Sequence, residues 1–574
     1  MAETVVQQGV AAARAGTSGR GKWLVLVAMV FGLFMPVLDN LVVNVALPTI
    51  QRHLGAGVSQ LQWIIDAYTL TFATFMLTGG TLSDRFGRKR FFIGGLVVFT
   101  LGSLACGLAS SIGELIAFRA LQGLGGSLLL PGSLAIISAT FQGKERGAAI
   151  GIWSAMSGVA IAAGPLVGGY LVQNVNWQSI FFVNVPVGAV AIVLTWLVVG
   201  ESRGASGVRR LDPPGALTGT LGLFFLVYAT IEGNSRGWTD GLILGSYGLA
   251  AALLAAFIVI ELRRRLPMLP LSFFRNPTFS AAIGTAMAVF FALFGMTFFL
   301  SLYLQNVAGY DPVATGIRLV PFTVMILLIA PVSGRLSERF GSRWFMASGT
   351  ALLAGGLAMA LRMEVGSGYP TVILPGMVMM GAGMALTMAP LSSAVMASVD
   401  QRRVGIASAT QTTASQVGGV FGIALLGAVV TAAFKSNFRS GLAAAGLTKV
   451  AAAKVVSEVG TRAAAGAISK QSLAGVPPRV GHVLPSVVHS SFVQAFHSGL
   501  YLSIAFAFLA SVLAAAFVRS HVAAYQPTRV VVGELSRGRE ATPEGREATS
   551  EGREATVPEA VPVYSSVRQT QASY

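Results

Sequence analysis

The chain has 574 residues, of which 54% are hydrophobic and only 11% charged, and it carries a formal net charge of +17. A mean hydropathy of +0.70 on so little charge excludes a soluble protein and predicts an all-α protein that crosses a membrane many times. The positive charge is no nucleic-acid signature, because most Lys and Arg fall in short loops between apolar runs, where they orient membrane spans.

A helix needs about 20 mostly apolar residues to cross a bilayer. Fourteen segments meet that need: 23–47, 61–82, 91–109, 112–136, 147–172, 179–199, 214–231, 241–261, 279–305, 314–336, 344–361, 370–394, 404–432 and 497–518. Residues 1–22 precede them as a cytoplasmic segment. The first run, from Trp23 to about Val45, is too long for a signal-peptide core and lacks a clear small-residue cleavage site, so it stays as a span.

Charged residues inside spans are rare, and three of them are placed by depth. At 1.5 Å per residue Asp39 sits about 24 Å from the inner face, Asp66 about 22 Å and Arg119 about 20 Å, so they share a depth. Such residues cost about 2.5–3.5 kcal/mol each at a helix centre. Burial favours a protonated carboxyl and a neighbouring arginine an ionised one, so a site of this kind can switch protonation with conformation. Two roles fit Asp39 and Arg119: proton or substrate coupling, and a static ion pair that fixes packing. Asp66 fits coupling or the lining of an outer vestibule.

Between spans 2 and 3 lies Gly80-Thr-Leu-Ser-Asp84-Arg85-Phe-Gly87-Arg88-Lys89-Arg90. Gly80 permits close helix approach, and Gly87 permits a tight turn with positive φ. Asp84 is a partner for Arg88 or for a neighbouring helix, and a cap for the next span. A cluster of this kind at a bundle interface is a candidate gate, more than a topology anchor, because it has an echo. Gly334-Arg-Leu-Ser-Glu338-Arg339-Phe-Gly341-Ser-Arg343 lies 254 residues downstream, and the same offset carries Gly151-Ile152 and Ser154 onto Gly405-Ile406 and Ser408. One register at two places predicts duplicated halves. Span 5 carries Gly151, Gly164-Pro165 and Gly168-Gly169, which fit a tight helix seam or hinge and equally fit ordinary membrane-helix packing.

The predicted organisation is then a six-helix bundle at 23–199, an inserted helix pair at 200–278, and a second six-helix bundle at 279–518. A long outer loop at 435–496 interrupts the second bundle; its stretch 447–469 fits a short helix, a hairpin or a solvated loop. From 519 to 574 the chain is polar and repeats Gly-Arg-Glu-Ala-Thr, a composition too poor in apolar residues to order itself, so a disordered cytoplasmic tail is expected. With the N-terminus inside, the basic clusters at Arg85–Arg90, Lys144 and Arg146, Arg203–Arg210, Arg263–Arg275, Arg335–Arg343 and Arg402–Arg403 all become cytoplasmic, as do both termini.

Cys106 is the only cysteine, which rules out an intrachain disulfide and a thiolate metal cluster. The five histidines fall in predicted loops or at span ends, which argues against a metal site at mid-membrane. No Gly-x4-Gly-Lys-Ser/Thr loop is present, which disfavours ATP-driven transport. No catalytic residue, metal ligand or bound cofactor is predicted.

Gly80 to Arg90 matches, at every characteristic position, the cytoplasmic-loop motif of the major facilitator superfamily. Leu38-Asp39 with Asn44-Val45-Ala46-Leu47-Pro48 looks like the first-span motif of its fourteen-span group, though Leu41 stands where threonine is usual. Arg119-Ala-Leu-Gln122-Gly123 is similar to the fourth-span motif, and Gly151, Gly164-Pro165 and Gly168-Gly169 resemble the fifth-span antiporter motif, with Ala160 in place of a usual glycine. Residues 20 to 520 thus resemble the fourteen-span drug:proton antiporters. The resemblance implies a plasma-membrane exporter of small hydrophobic, often cationic, compounds, driven by proton influx through alternating access, with Arg119 taking part in proton transfer. It implies a proton gradient in place of a cofactor; a monomer is expected. An importer or facilitator of the same fold and a non-transporting membrane sensor are the alternatives.

Overall fold

The computed structural model describes residues 19–203, 212–264, 267, 269–400, 403–466 and 482–519. Residues 1–18, residues 467–481 and the repeat-bearing segment from 520 lie outside the described residues, as do Arg209, Arg210, Arg265 and Arg402.

Helices account for the regular structure of the described residues, as expected where no water is present to satisfy backbone polar groups. In chain order α1 is Gly19–Leu54, α2 Val58–Phe86, α3 Arg88–Leu108, α4 Ile112–Thr140 and α5 Gly143–Asn174; after a single turn, Ser179–Phe182, comes α6, Asn184–Val198. The pair α7 (Pro213–Arg236) and α8 (Gly241–Arg263) follows. The remainder is α9 (Pro277–Leu302), α10 (Pro312–Phe340), α11 (Ser342–Ala360), α12 (Leu374–Ala397), α13 (Val404–Ala444), α14 (Lys449–Ala463) and α15 (Leu484–Phe517). Several starts are written in the sequence as an acceptor side chain followed by proline. Asp212, Asn276 and Asp311 each accept from a backbone N–H of the first turn of α7, α9 and α10, and each is followed by Pro at the first helical position.

Every predicted span coincides with a helix. Among the described residues, twelve helices are long and apolar enough to cross a membrane. The other two predicted spans fall on α2 and α11, which have 29 and 19 residues but more polar sequences. Both are wedged between neighbours: α2 between α4 and α13, and α11 between α12 and α15. A helix so enclosed shows little of itself to lipid, and its Gln62, Asp66 and Thr69 are buried inside protein.

Helices α1 to α6 pack mainly on one another, and so do α9 to α13 with α15. The two bundles meet along α5 with α10, α2 with α13, and α1 with α9. The inserted pair does not stand apart. Helix α7 docks against α2 and α13, burying Val227 and Ile231 with Leu70, Val420 and Ala424.

The stretch 435–496, expected as a loop, is largely helical where described. Helix α13 has 41 residues, which at 1.5 Å each is about 60 Å, twice the roughly 30 Å of a bilayer core. Helix α15 starts at Leu484, not near residue 497, so His489 and His497 lie within a helix. Between them α14 turns one face inward through Ala452, Val455 and Val456, the i, i+3, i+4 pattern of an amphipathic helix.

Candidate functional site

Five helices of the first bundle converge on Asp39. Its carboxylate, 2% exposed, accepts from Arg119 Nη1 at 2.5 Å through Oδ2, and from Gln122 Nε2 at 2.8 Å and Asn184 Nδ2 at 3.1 Å through Oδ1. Arg119 is wholly buried. Its Nη1 also donates to Gln122 Oε1 (2.8 Å), its Nε donates to the Ile64 carbonyl of α2 (3.0 Å), and its guanidinium lies 4.2 Å from the centroid of the Tyr68 ring. Asn184 donates further to Ser103 Oγ on α3, which donates to the Phe181 carbonyl. The spacing explains the assembly. Gln122 follows Arg119 by one turn and shares its face, while Ile64 and Tyr68, four apart, present one face of α2 to Arg119. A buried ion pair is costly unless its remaining donors and acceptors are satisfied; here neutral amides do most of that, leaving Arg119 Nη2 without a partner.

The structure brings Asp39 and Arg119 together and leaves Asp66 out of their network. Asp66 lies on another face of α2, with both carboxyl oxygens buried and without a hydrogen-bond partner. One turn before it, Gln62 donates to the Ile423 carbonyl of α13 at 2.6 Å, and Trp63 Nε1 donates to Glu232 of α7 at 3.1 Å. One turn after it, Leu70 joins the cluster shared with α7 and α13. Asp66 therefore sits on the α2 flank turned toward α7 and α13. The Trp63–Glu232 bond ties the inserted pair to α2, and a hydrogen bond to a charged group contributes about 1.5–3 kcal/mol. Trp63→Phe and Glu232→Ala are each expected to lower the unfolding midpoint, and the double variant to lose little more than either alone. Additive losses in that double-mutant cycle would mean that the two residues do not act through this bond.

The hydrogen bonds that join the bundles gather at the end where Gly57 opens α2. Ser301 Oγ donates to the Asn44 carbonyl (2.7 Å), Gln305 Nε2 to the Val45 carbonyl (2.8 Å) and Asn306 Nδ2 to Gln51 Oε1 (3.2 Å). At the same end the Val313 amide donates to Gln173 Oε1 (3.0 Å), and Gly169 and Gly316 let α5 and α10 touch backbone to backbone at Pro312 and Pro165. Gly164 seats α5 on the Leu41 side chain of α1 and Gly168 on the Val42 backbone, as small residues do between membrane helices. Toward the opposite end, marked by Gly87, the seam loosens. Gly151 has open space where a Cβ would be, Ile152 is 43% exposed, and Leu328 on α10 is 61% exposed.

At that end Gly87 adopts φ +125°, the conformation that favours glycine, and Gly341 in the echo does the same at +86°. Asp84 Oδ1, in the last turn of α2, accepts at 2.7 Å from Nε of Arg88, the first residue of α3, which is one of the pairings expected; it does not cap α3. The close approach expected at Gly80 falls one residue earlier. A Cβ on Gly79 would strike Leu128, whereas one on Gly80 would make ordinary contact with Pro131. The loop is also held from outside the motif: Glu201 accepts from the Lys89 amide (3.1 Å) and approaches Arg90 (3.7 Å), Lys89 Nζ donates to the Trp196 carbonyl (2.7 Å), and the Arg88 amide donates to the Ser202 carbonyl (2.9 Å). Sequence reasoning missed Asn184, Ser103, Glu201 and Glu232. Asn184 had a legible signal, as a lone amide in the apolar run Phe-Phe-Val-Asn-Val.

Two helical bundles meeting along narrow seams beside a buried charge network are the architecture of a secondary transporter. The chain belongs to the major facilitator superfamily, whose family model, described as Major Facilitator Superfamily, matches residues 29–423 and again 315–538. It is similar to "Multidrug resistance protein Stp" of Mycobacterium tuberculosis, 40% identical over 414 residues that cover 72% of this chain and 76% of that protein. It is also similar to "Tetracenomycin C resistance and export protein" of Streptomyces glaucescens, 36% identical over 506 residues, 87% of this chain and 91% of that one. A solved bacterial homologue of the human lysosomal transporter Spinster, in an inward-facing and unoccupied conformation, matches with a TM-score of 0.61 at 19% identity, over 87% of this chain and 98% of that one; this is a likeness of fold.

Proposed function

We propose that this chain is a proton-coupled antiporter that exports small hydrophobic drugs or antibiotics, cationic ones included, across the plasma membrane by alternating access. The observation that carries the reading is the buried Asp39–Arg119 pair, in a chain whose relatives are named for multidrug resistance and for tetracenomycin C resistance and export. A proton arriving on Asp39 neutralises the carboxylate and weakens its hold on Arg119. Arg119 also grips α2 through the Ile64 carbonyl, and two residues away on α2 Gln62 bonds to α13 of the other bundle. Protonation is thereby passed to the closed seam within one turn of helix. Asp66, buried and unpartnered on the flank facing α7 and α13, is suited to receive a proton or attract a cationic substrate once that seam parts.

In this reading the Gly57 end is extracellular, the Gly87 end and both termini are cytoplasmic, and the described conformation is closed to the outside. Residues 23–199 and 279–518 are the halves that rock, 200–278 the inserted pair, and Gly80–Arg90 the inner gate. The proton gradient is the energy source, no cofactor takes part, and the working unit is the monomer. The test is dye transport in everted vesicles with and without a collapsed pH gradient. Uptake into vesicles that stops on collapse is expected. Transport that survives collapse contradicts coupling, and transport in the opposite direction favours an importer.

A further inference from the structure

The Gly87 end of the first bundle carries more positive charge than its gate uses. Arg88 is engaged by Asp84 and the Ala135 carbonyl, and Lys89 by the Trp196 carbonyl. Arg85, Arg90 and Arg203 remain. All three line one open cavity of about 510 Å³ together with Phe86 and Phe91. Arg85 lies 5.2 Å from the Phe86 ring centroid, and the two phenylalanine rings stack with centroids 6.1 Å apart. Among the described residues, Arg85 and Arg203 have no carboxylate partner, and Arg90 has only the long 3.7 Å approach to Glu201. Three guanidiniums with one carboxylate near Arg90 leave a strongly cationic hollow with an aromatic floor.

From this we infer a binding site for the phosphate headgroup of an anionic phospholipid, held by Arg85, Arg90 and Arg203, with Phe86 and Phe91 under its glycerol and upper acyl carbons. Guanidiniums are the side chains best matched to phosphate oxygens, through paired parallel hydrogen bonds. Basic hollows at the cytoplasmic ends of membrane helices are sequence-readable sites for such lipids. The surroundings favour a lipid over a soluble phosphate. Phe86 is 46% exposed, and Trp196 and Leu197, beside the same loop, are each 65% exposed, an apolar and aromatic rim of the kind that sits at headgroup level. The hollow is built on Arg85 and Arg90 of the loop and on Arg203 of the segment entering the inserted pair, so an occupant would bridge the two.

The test uses the full chain in phosphatidylcholine nanodiscs doped with phosphatidylglycerol, with retained lipid counted by native mass spectrometry. The wild type should retain phosphatidylglycerol in preference to phosphatidylcholine. Arg203→Gln, at an exposed position where the fold tolerates change, should lower that retention about fivefold, the worth of one arginine near an anionic surface. Adding Arg85→Gln and Arg90→Gln should bring it to the phosphatidylcholine level. Arg335→Gln, at the corresponding loop of the other bundle, should leave it unchanged. Equal retention in wild type and triple variant, or an equal loss in Arg335→Gln, would overturn the site. Displacement of the lipid by millimolar inorganic phosphate would overturn the lipid in favour of a soluble phosphate ligand.

Discussion

Asp39→Asn is expected to abolish uphill export while leaving the chain in the membrane. The substitution keeps the shape of the side chain and removes the charge. It takes away the one anion that pairs with Arg119, and it puts an amide N–H where the carboxylate now receives donors from Gln122 and Asn184. Breaking a buried pair from one side costs about 3–5 kcal/mol, because the other charge stays behind. A loss of stability would therefore accompany the loss of transport and confuse its meaning. The double variant Asp39→Asn with Arg119→Gln separates the two. Removing both charges leaves no uncompensated buried charge, which is what makes breaking the pair from one side costly, so the double variant should recover most of the unfolding midpoint and none of the coupled transport. Recovery of transport along with stability would make the pair a packing device.

Gly316→Leu is expected to be nearly as severe, by another route. A Cβ at Gly316 would meet the Pro165 carbonyl of α5, so the two helices cannot close on one another with any larger residue there. Overpacking a tight contact costs about 1–3 kcal/mol. A bias of that size between two conformations changes their ratio by a factor of about 5 to 150, enough to starve a cycle that must pass through the closed state. Cys106 is the only cysteine and is buried, so a single reporter cysteine can be read without removing it. Ser301→Cys places that reporter at a buried position beside Asn44, where the bundles meet. Thiol labelling from the Gly57 side should rise sharply when Gly316→Leu is added, and dye transport should fall. Unchanged labelling with full transport would show that α5 and α10 do not need this contact.

Much of this was legible in the sequence, for reasons that differ by residue. The spans follow from the need of about 20 apolar residues, and α2 could be found despite its polar content because its apolar runs surround Gln62 and Asp66. The positive φ at Gly87 and Gly341 was foreseeable, since a turn between two long helices leaves few other choices. The repeat reaches further than the loop: the offset of 254 also carries Gly164 and Gly168 onto Gly418 and Gly422, which seat α13 on α9 as the first two seat α5 on α1. Depth arithmetic put Asp39, Asp66 and Arg119 at one level but said nothing of azimuth. On α2, residues 64 and 68 face Arg119 while 62, 66 and 70 face elsewhere, which is why Asp66 stands apart. Asn184 and Glu232 reach their partners across 145 and 169 residues, and no local pattern encodes such pairings. The helical stretch past residue 435 was readable in part, through the spacing of Ala452, Val455 and Val456. It was obscured because a helix that outgrows the bilayer loses its apolar signal.

The central claim is that substrate and proton move through this chain in opposite directions and that Asp39 links them. It is tested most directly with the purified full chain in liposomes that carry a pH-sensitive dye inside, no imposed pH gradient, and a substrate gradient across the membrane. The account predicts that substrate flowing in drives protons out, so the interior becomes alkaline, and that Asp39→Asn carries no such proton flux. Substrate flux with no pH change, or protons moving with the substrate, would contradict it.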